Sequence, residues 1–219
     1  IAAGSTLEAL LGATLLARAQ FAPALPRVRD VAALVLLAAA LSPIVGATIG
    51  VSALCFTGTE PWNSFALLWS LWWVGDAVGV LIVAPVMLIW ANQLRRGPQI
   101  ARLGEALVLA GILLLLSLEV FIRAGNDPGY PLHYLIFPAI IWSALRLGQH
   151  ATATLIASAF FVTVIATLAQ RGPFVGRSMN ASLLDVEAFF CVLAVTGFFL
   201  GAATAERNRA ERRHMADYA

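Results

Sequence analysis

Apolar runs of about twenty residues, the length that crosses the roughly 30 Å hydrocarbon of a bilayer as a helix, recur along the whole chain. A soluble core of this size breaks its apolar stretches with polar ones. Here 60% of residues are hydrophobic and 12% charged, against about 25% charged in a soluble domain. Period-two alternation, the mark of a membrane β-barrel, is absent. The expected class is an all-α, polytopic transmembrane bundle, because in lipid a helix satisfies its own backbone.

Seven spans are expected, at about 2–20, 31–54, 62–92, 103–122, 131–147, 149–169 and 183–204. Pro23 and Pro26, Gly58 and Pro61, Gly97 and Pro98, Gly148, and Gly172 with Pro173 punctuate them. The 62–92 run is too long for one perpendicular crossing. A break near Gly75 is expected, with Trp62–Trp73 at the outer interface or re-entering, where indole rings gather; the other reading is a single tilted helix.

Basic residues set the orientation, since cytoplasmic loops are enriched in them. All fourteen are arginine. With the tail after the seventh span inside, Arg18, Arg27, Arg29, Arg95, Arg96, Arg102, Arg146, Arg207, Arg209, Arg212 and Arg213 face the cytoplasm, eleven of the fourteen. Only Arg123, Arg171 and Arg177 lie outside. Residue 1 is therefore expected in the periplasm of a bacterial inner-membrane protein, and Ala219 in the cytoplasm. Ile1 is not an initiator and the chain ends in a charged tail, so a fragment is expected.

The same residues exclude several functions. Without lysine there is no retinal Schiff base. His133 and His150 fall on opposite sides, which argues against a haem between them. No paired intramembrane aspartates, no serine–histidine pairing, no phosphate loop and no zinc motif occur. Cys55 and Cys191 sit in apolar runs and are expected to behave as small hydrophobes. No cofactor, metal or nucleic-acid partner is expected.

Acids within hydrocarbon are costly and invite a functional reading. Glu8, Asp76 and Glu119 all fall in the outer half on this topology. Arg123 follows Glu119 by four residues, the favourable order for a helical ion pair, and His133 and Tyr134 open the fifth span on the same side. These groups, with Trp73, are the candidate lining of an outward-facing pocket for a small ligand or a membrane partner. Beyond the last span, 205–219 lacks proline and glycine and is expected to prolong the helix as a signalling linker, so 1–204 forms the membrane domain.

Three segments carry a resemblance: Ala2–Ala13, Trp69–Pro85 with its Trp-Trp-Val-Gly-Asp-Ala core, and Leu135–Gly148. Together with the tail Ala205–Glu211 they resemble the bacterial membrane-associated sensor domain of the first type, and the membrane part of the hexose-phosphate sensor kinase is similar. The likeness spans essentially the whole chain. It implies a non-enzymatic input module of sensor histidine kinases or cyclic-di-GMP enzymes, working as a homodimer in the bilayer. Glu8, Trp73, Gly75, Asp76, Pro85, Pro138, Trp142 and Arg146 fall in its motifs. Ser5 stands where that family is expected to carry asparagine. Gly75, Pro85 and Pro138 are expected to shape helices, and Trp142 with Arg146 to stack. The small residues of Gly197–Ala205 offer a dimerisation face. The rival reading is a secondary transporter or membrane enzyme using the same acids; a third is pure anchoring and dimerisation.

Overall fold

A computed structural model describes residues 2–94, 111, 132–176 and 178–217, and every regular element among them is helical. In order they are α1 (Ala2–Arg18), α2 (Val28–Ala33), a π-helical segment (Leu34–Leu41), α3 (Pro43–Phe56) and a 3₁₀ turn at Trp62–Ser64. Then come α4 (Phe65–Leu94), a second 3₁₀ turn at Leu132–Leu135, α5 (Ile136–Arg146), α6 (Gln149–Leu168) and α7 (Met179–Asp217).

Among the described residues four helical stretches are long and apolar enough to cross a membrane: Val28–Phe56, Trp62–Ala91, Gln149–Leu168 and Met179–Ala216. Two other expected spans are shorter than that as helices, α1 with 17 residues and α5 with 11. The expected span 103–122 lies outside the described residues, as do Glu119, Arg123 and Arg177.

The Val28–Phe56 stretch changes its winding partway. Pro43 has no N–H, so the carbonyls one turn earlier lose a donor. Ser42 N instead reaches back five residues to Leu37 O at 3.2 Å, while its Oγ donates to Ala38 O at 2.6 Å. The Ala40 carbonyl accepts the Trp73 indole N–H at 2.8 Å. Helix α4 thereby fastens the widened turn, a conformation that often marks functional sites.

Against the expected break at Gly75, α4 runs unbroken for 30 residues. A glycine inside a helix costs about 1 kcal/mol relative to alanine, whereas an unpaired backbone group in hydrocarbon costs several; continuity wins. Pro85 is also held inside α4, and it is buried. At about 45 Å the helix is longer than the hydrocarbon and must tilt or project. Its start is pinned by Trp62, edge-on to Phe56 at 5.0 Å and stacked on Phe65 at 5.9 Å.

Helices α5 and α6 form a hairpin with almost no loop. Gly148 makes this possible at φ +81°, ψ −174°, a conformation open in practice to glycine. Ser143 and Thr152 share a buried hydroxyl hydrogen bond of 3.1 Å across the hairpin. Pro138 sits in the first turn of α5, where its missing N–H leaves nothing unsatisfied.

Helix α7 is the central post. Its Val186, Phe190, Leu193, Ala194, Phe198 and Ala202 are fully covered and join Ile82, Ile140 and Ile156 in one core. Within the Gly197–Ala205 stretch, Gly197 and Gly201 face neighbours in the same chain. A Cβ on Gly197 would lie 2.9 Å from Ile140, and one on Gly201 3.1 Å from the Gln149 side chain. At these two positions the small residues admit α5 and α6.

At one end of the bundle the α1–α2 loop is fixed to α6 and α7. Leu25 is fully buried with φ +49°, an uncommon state for a branched residue. Gln149 Nε2 holds it there, donating to Leu25 O at 3.2 Å and to Phe198 O at 2.8 Å. Val28 N donates to Glu206 at 3.1 Å, and Arg209 donates to Pro26 O at 3.1 Å. Arg18, Arg27, Arg29, Arg146, Arg207, Arg209, Arg212 and Arg213 belong to the segments meeting here, so the basic grouping read from sequence forms one end of the fold.

Candidate functional site

Two of the expected acids come together. Glu8, on the second turn of α1, reaches over Gly46 of α3 so closely that its carboxylate occupies the place a Gly46 Cβ would take. Asp76 of α4 directs its Oδ2 to within 3.6 Å of that same place. The two carboxylates lie near enough to repel one another. Only glycine at 46 leaves room for this meeting.

A third acid joins from the central post. Glu187 of α7 brings its Oε1 to 3.6 Å from the position of a Cβ on Gly75, the residue before Asp76. Sequence reasoning missed Glu187, because it lies close to the expected start of the last span at residue 183. Helix α7 begins at Met179, which places Glu187 two turns inside. An acid inside a span was the available signal. Trp72, also passed over, stands one turn before Asp76 on α4, and its ring presses on Gly50 at 2.9 Å from the Cβ position.

The ion pairs among the described residues are Arg29–Asp30 at 3.9 Å and Arg207–Glu211 at 2.8 Å, neither involving these three acids. Among the described residues no group of histidine, cysteine and acidic side chains is arranged to hold a metal. Three half-buried acids from α1, α4 and α7, lined by glycine and tryptophan, can exchange protons or meet a cationic or hydrogen-bond-donating group.

The family model MASE1 matches residues 1–208. This chain belongs to the MASE1 family. MASE1 is a membrane-associated sensor domain of signalling proteins and is sensory rather than catalytic. Comparison with curated proteins and with solved structures returns no match.

The remaining expected site residues of this MASE1 domain fall elsewhere. Trp73 stacks on Trp69 at 6.1 Å and its N–H is engaged by Ala40, so it braces the π segment. His133 and Tyr134 lie in an aromatic cluster, His133 centred 5.1 Å from Phe174 and 5.4 Å from Phe189. The guanidinium of Arg146 lies over the Trp142 ring, 6.0 Å from its centroid. Cys55 and Cys191 are free thiols.

Two clefts flank α7 at the basic end. One of about 370 Å³ is bounded by Arg146, Gly148, Gly201, Thr204 and Asn208. The other, about 210 Å³, is bounded by Arg27, Glu206, Arg209, Ala210 and Arg213. At 100° per residue, Gly201 and Glu206 lie about 140° apart around the helix, so the clefts open on different sides.

Proposed function

We propose that this MASE1 chain is the transmembrane input module of a bacterial signalling protein, reading a small ligand or membrane partner at Glu8, Asp76 and Glu187. The reading passes along α7 to a cytoplasmic output domain, a histidine kinase or a cyclic-di-GMP enzyme. The basic end faces the cytoplasm and residue 1 the periplasm, by the enrichment of arginine on inner loops. In a complete bundle α1, 103–122 and α5 cross with the four long helices, giving seven spans, and the output acts as a homodimer.

One observation carries this reading. Glu187 stands on the helix that also carries Arg213, and the 26 residue steps from one to the other in the unbroken 39-residue α7 span about 39 Å. A change of charge or contact at the acids therefore acts on the output helix itself. Sensing requires two states with different affinity for the stimulus, and a carboxylate group that gains or loses a partner supplies that difference.

Asp76→Asn keeps the shape and removes the charge. In a signalling reporter this variant is expected to reduce the stimulus-dependent change in output at least about fivefold, the lower range of ordinary allosteric coupling, with unchanged membrane abundance. A normally inserted variant with the full response would remove Asp76 from the site.

A further inference from the structure

The cleft between the α1–α2 loop and α7 has an electrostatic character that the sensory reading does not use. Its three guanidinium groups come from two segments far apart in sequence. Arg27 belongs to the loop before α2, and Arg209 and Arg213 to successive turns of α7. Arg209 is fixed by donating from Nη1 to Pro26 O at 3.1 Å, leaving its other N–H groups available. The side chains of Arg27 and Arg213 make no ion pair or hydrogen bond among the described residues.

The one acid in the lining, Glu206, is turned to the Val28 backbone N–H at 3.1 Å. The nearby Asp30 does not neutralise the cleft either. It is 1% exposed, its Oδ1 accepts from Ala22 N at 3.3 Å, and its ion-pair neighbour at 3.9 Å is Arg29. The lining thus keeps a net charge of +2, from three arginines against one glutamate.

The cleft sits just beyond the apolar part of α7, where a helix leaving hydrocarbon meets the headgroups. Arginine presents a planar fork of donors that matches phosphate oxygens. The cleft's volume of about 210 Å³ accepts one phosphate group with its ester substituents. We infer that Arg27, Arg209 and Arg213 form a binding site for a phosphate-bearing anion at the membrane surface, bridging the α1–α2 loop to the output helix. Occupancy adds a further tie beside the Arg209–Pro26 and Val28–Glu206 hydrogen bonds and so holds α7 against the bundle.

The chain in nanodiscs tests this, with the thermal unfolding midpoint and lipid retention by native mass spectrometry as readouts. Phosphatidylglycerol is expected to be retained by the unchanged chain and to raise its midpoint over phosphatidylcholine. R27Q/R213Q is expected to weaken retention about tenfold, by loss of two charge-assisted contacts. Inorganic phosphate added in phosphatidylcholine nanodiscs distinguishes the sources. Stabilisation by it, lost in R27Q/R213Q, assigns the site to a soluble phosphate; stabilisation by phosphatidylglycerol alone assigns it to a lipid headgroup.

R29Q/R212Q removes the same charge from positions that do not line the cleft. If that pair weakens retention equally, the effect is one of general surface charge and the site is overturned. It is overturned equally if neither anion stabilises the chain, or if R27Q/R213Q binds like the unchanged chain. Arg209 is left in place in every variant, because its bond to Pro26 holds the loop.

Discussion

Gly46→Ala is expected to lower the stability of the bundle by about 1–3 kcal/mol, the cost of overpacking a closed site. Glu8→Ala in the same chain is expected to recover most of that loss. The added Cβ falls where the Glu8 carboxylate lies, and Asp76 Oδ2 is 3.6 Å away on the other side. Glu8 must then leave the cluster, and a carboxylate on α1 has lipid as its alternative surroundings. Removing the Glu8 side chain removes the collision. Unfolding of the four chains of this cycle, followed in nanodiscs, gives the coupling between the two positions. A silent Gly46→Ala, or a loss that Glu8→Ala does not relieve, would separate Glu8 from Gly46.

Phe198→Ala is expected to be the most damaging single truncation, at about 3–5 kcal/mol. Phe198 is fully buried on α7 among the core side chains, and its carbonyl accepts from Gln149, the same side chain that holds Leu25. Its loss opens a cavity where α7 is anchored to the α5–α6 hairpin and to the α1–α2 loop at once. Phe161→Ala is the matched control, since Phe161 is 52% exposed and is expected to change stability by no more than about 0.5 kcal/mol. Phe198→Ala is also expected to uncouple output from stimulus, because Phe198 lies between Glu187 and the basic end. Equal thermal midpoints for the two phenylalanine variants would remove α7 from the centre of the bundle.

The apolar runs revealed the helices because lipid leaves the backbone few other solutions, and the arginines grouped themselves at one end for the same solvent reason. Glu8 and Asp76 stood out as charges within hydrocarbon, although nothing in one dimension says that they meet over Gly46. Glu187 escaped notice because the helix begins four residues before the apolar run does, which made a buried acid look like a boundary residue. At Gly75 the flexibility of glycine suggested a break, but backbone pairing in lipid outweighs it. Pro43 was visible in the sequence, yet how the helix responds to it depends on Ser42 and on Trp73, a residue 30 positions away. Small residues at Gly197 and Gly201 show only that something packs closely; that their neighbours include Ile140 and Gln149 of this chain's own hairpin is visible only in the fold. His133 and Tyr134 share a side with the acids and join aromatic neighbours, because side is a coarser coordinate than contact.

The account centres on one mechanical statement, that the state of the acid cluster sets the position of α7. Spin labels at exposed Ala13 on α1 and Asn208 on α7, in a chain with Cys55 and Cys191 replaced by alanine, report the distance between these helices by pulsed electron paramagnetic resonance. Neutralising the cluster by Asp76→Asn in nanodiscs is expected to shift that distance distribution by about 1–2 Å, the displacement typical of helix shifts in switching proteins. Superimposable distributions from the unchanged and the Asp76→Asn chains, both folded, would contradict it.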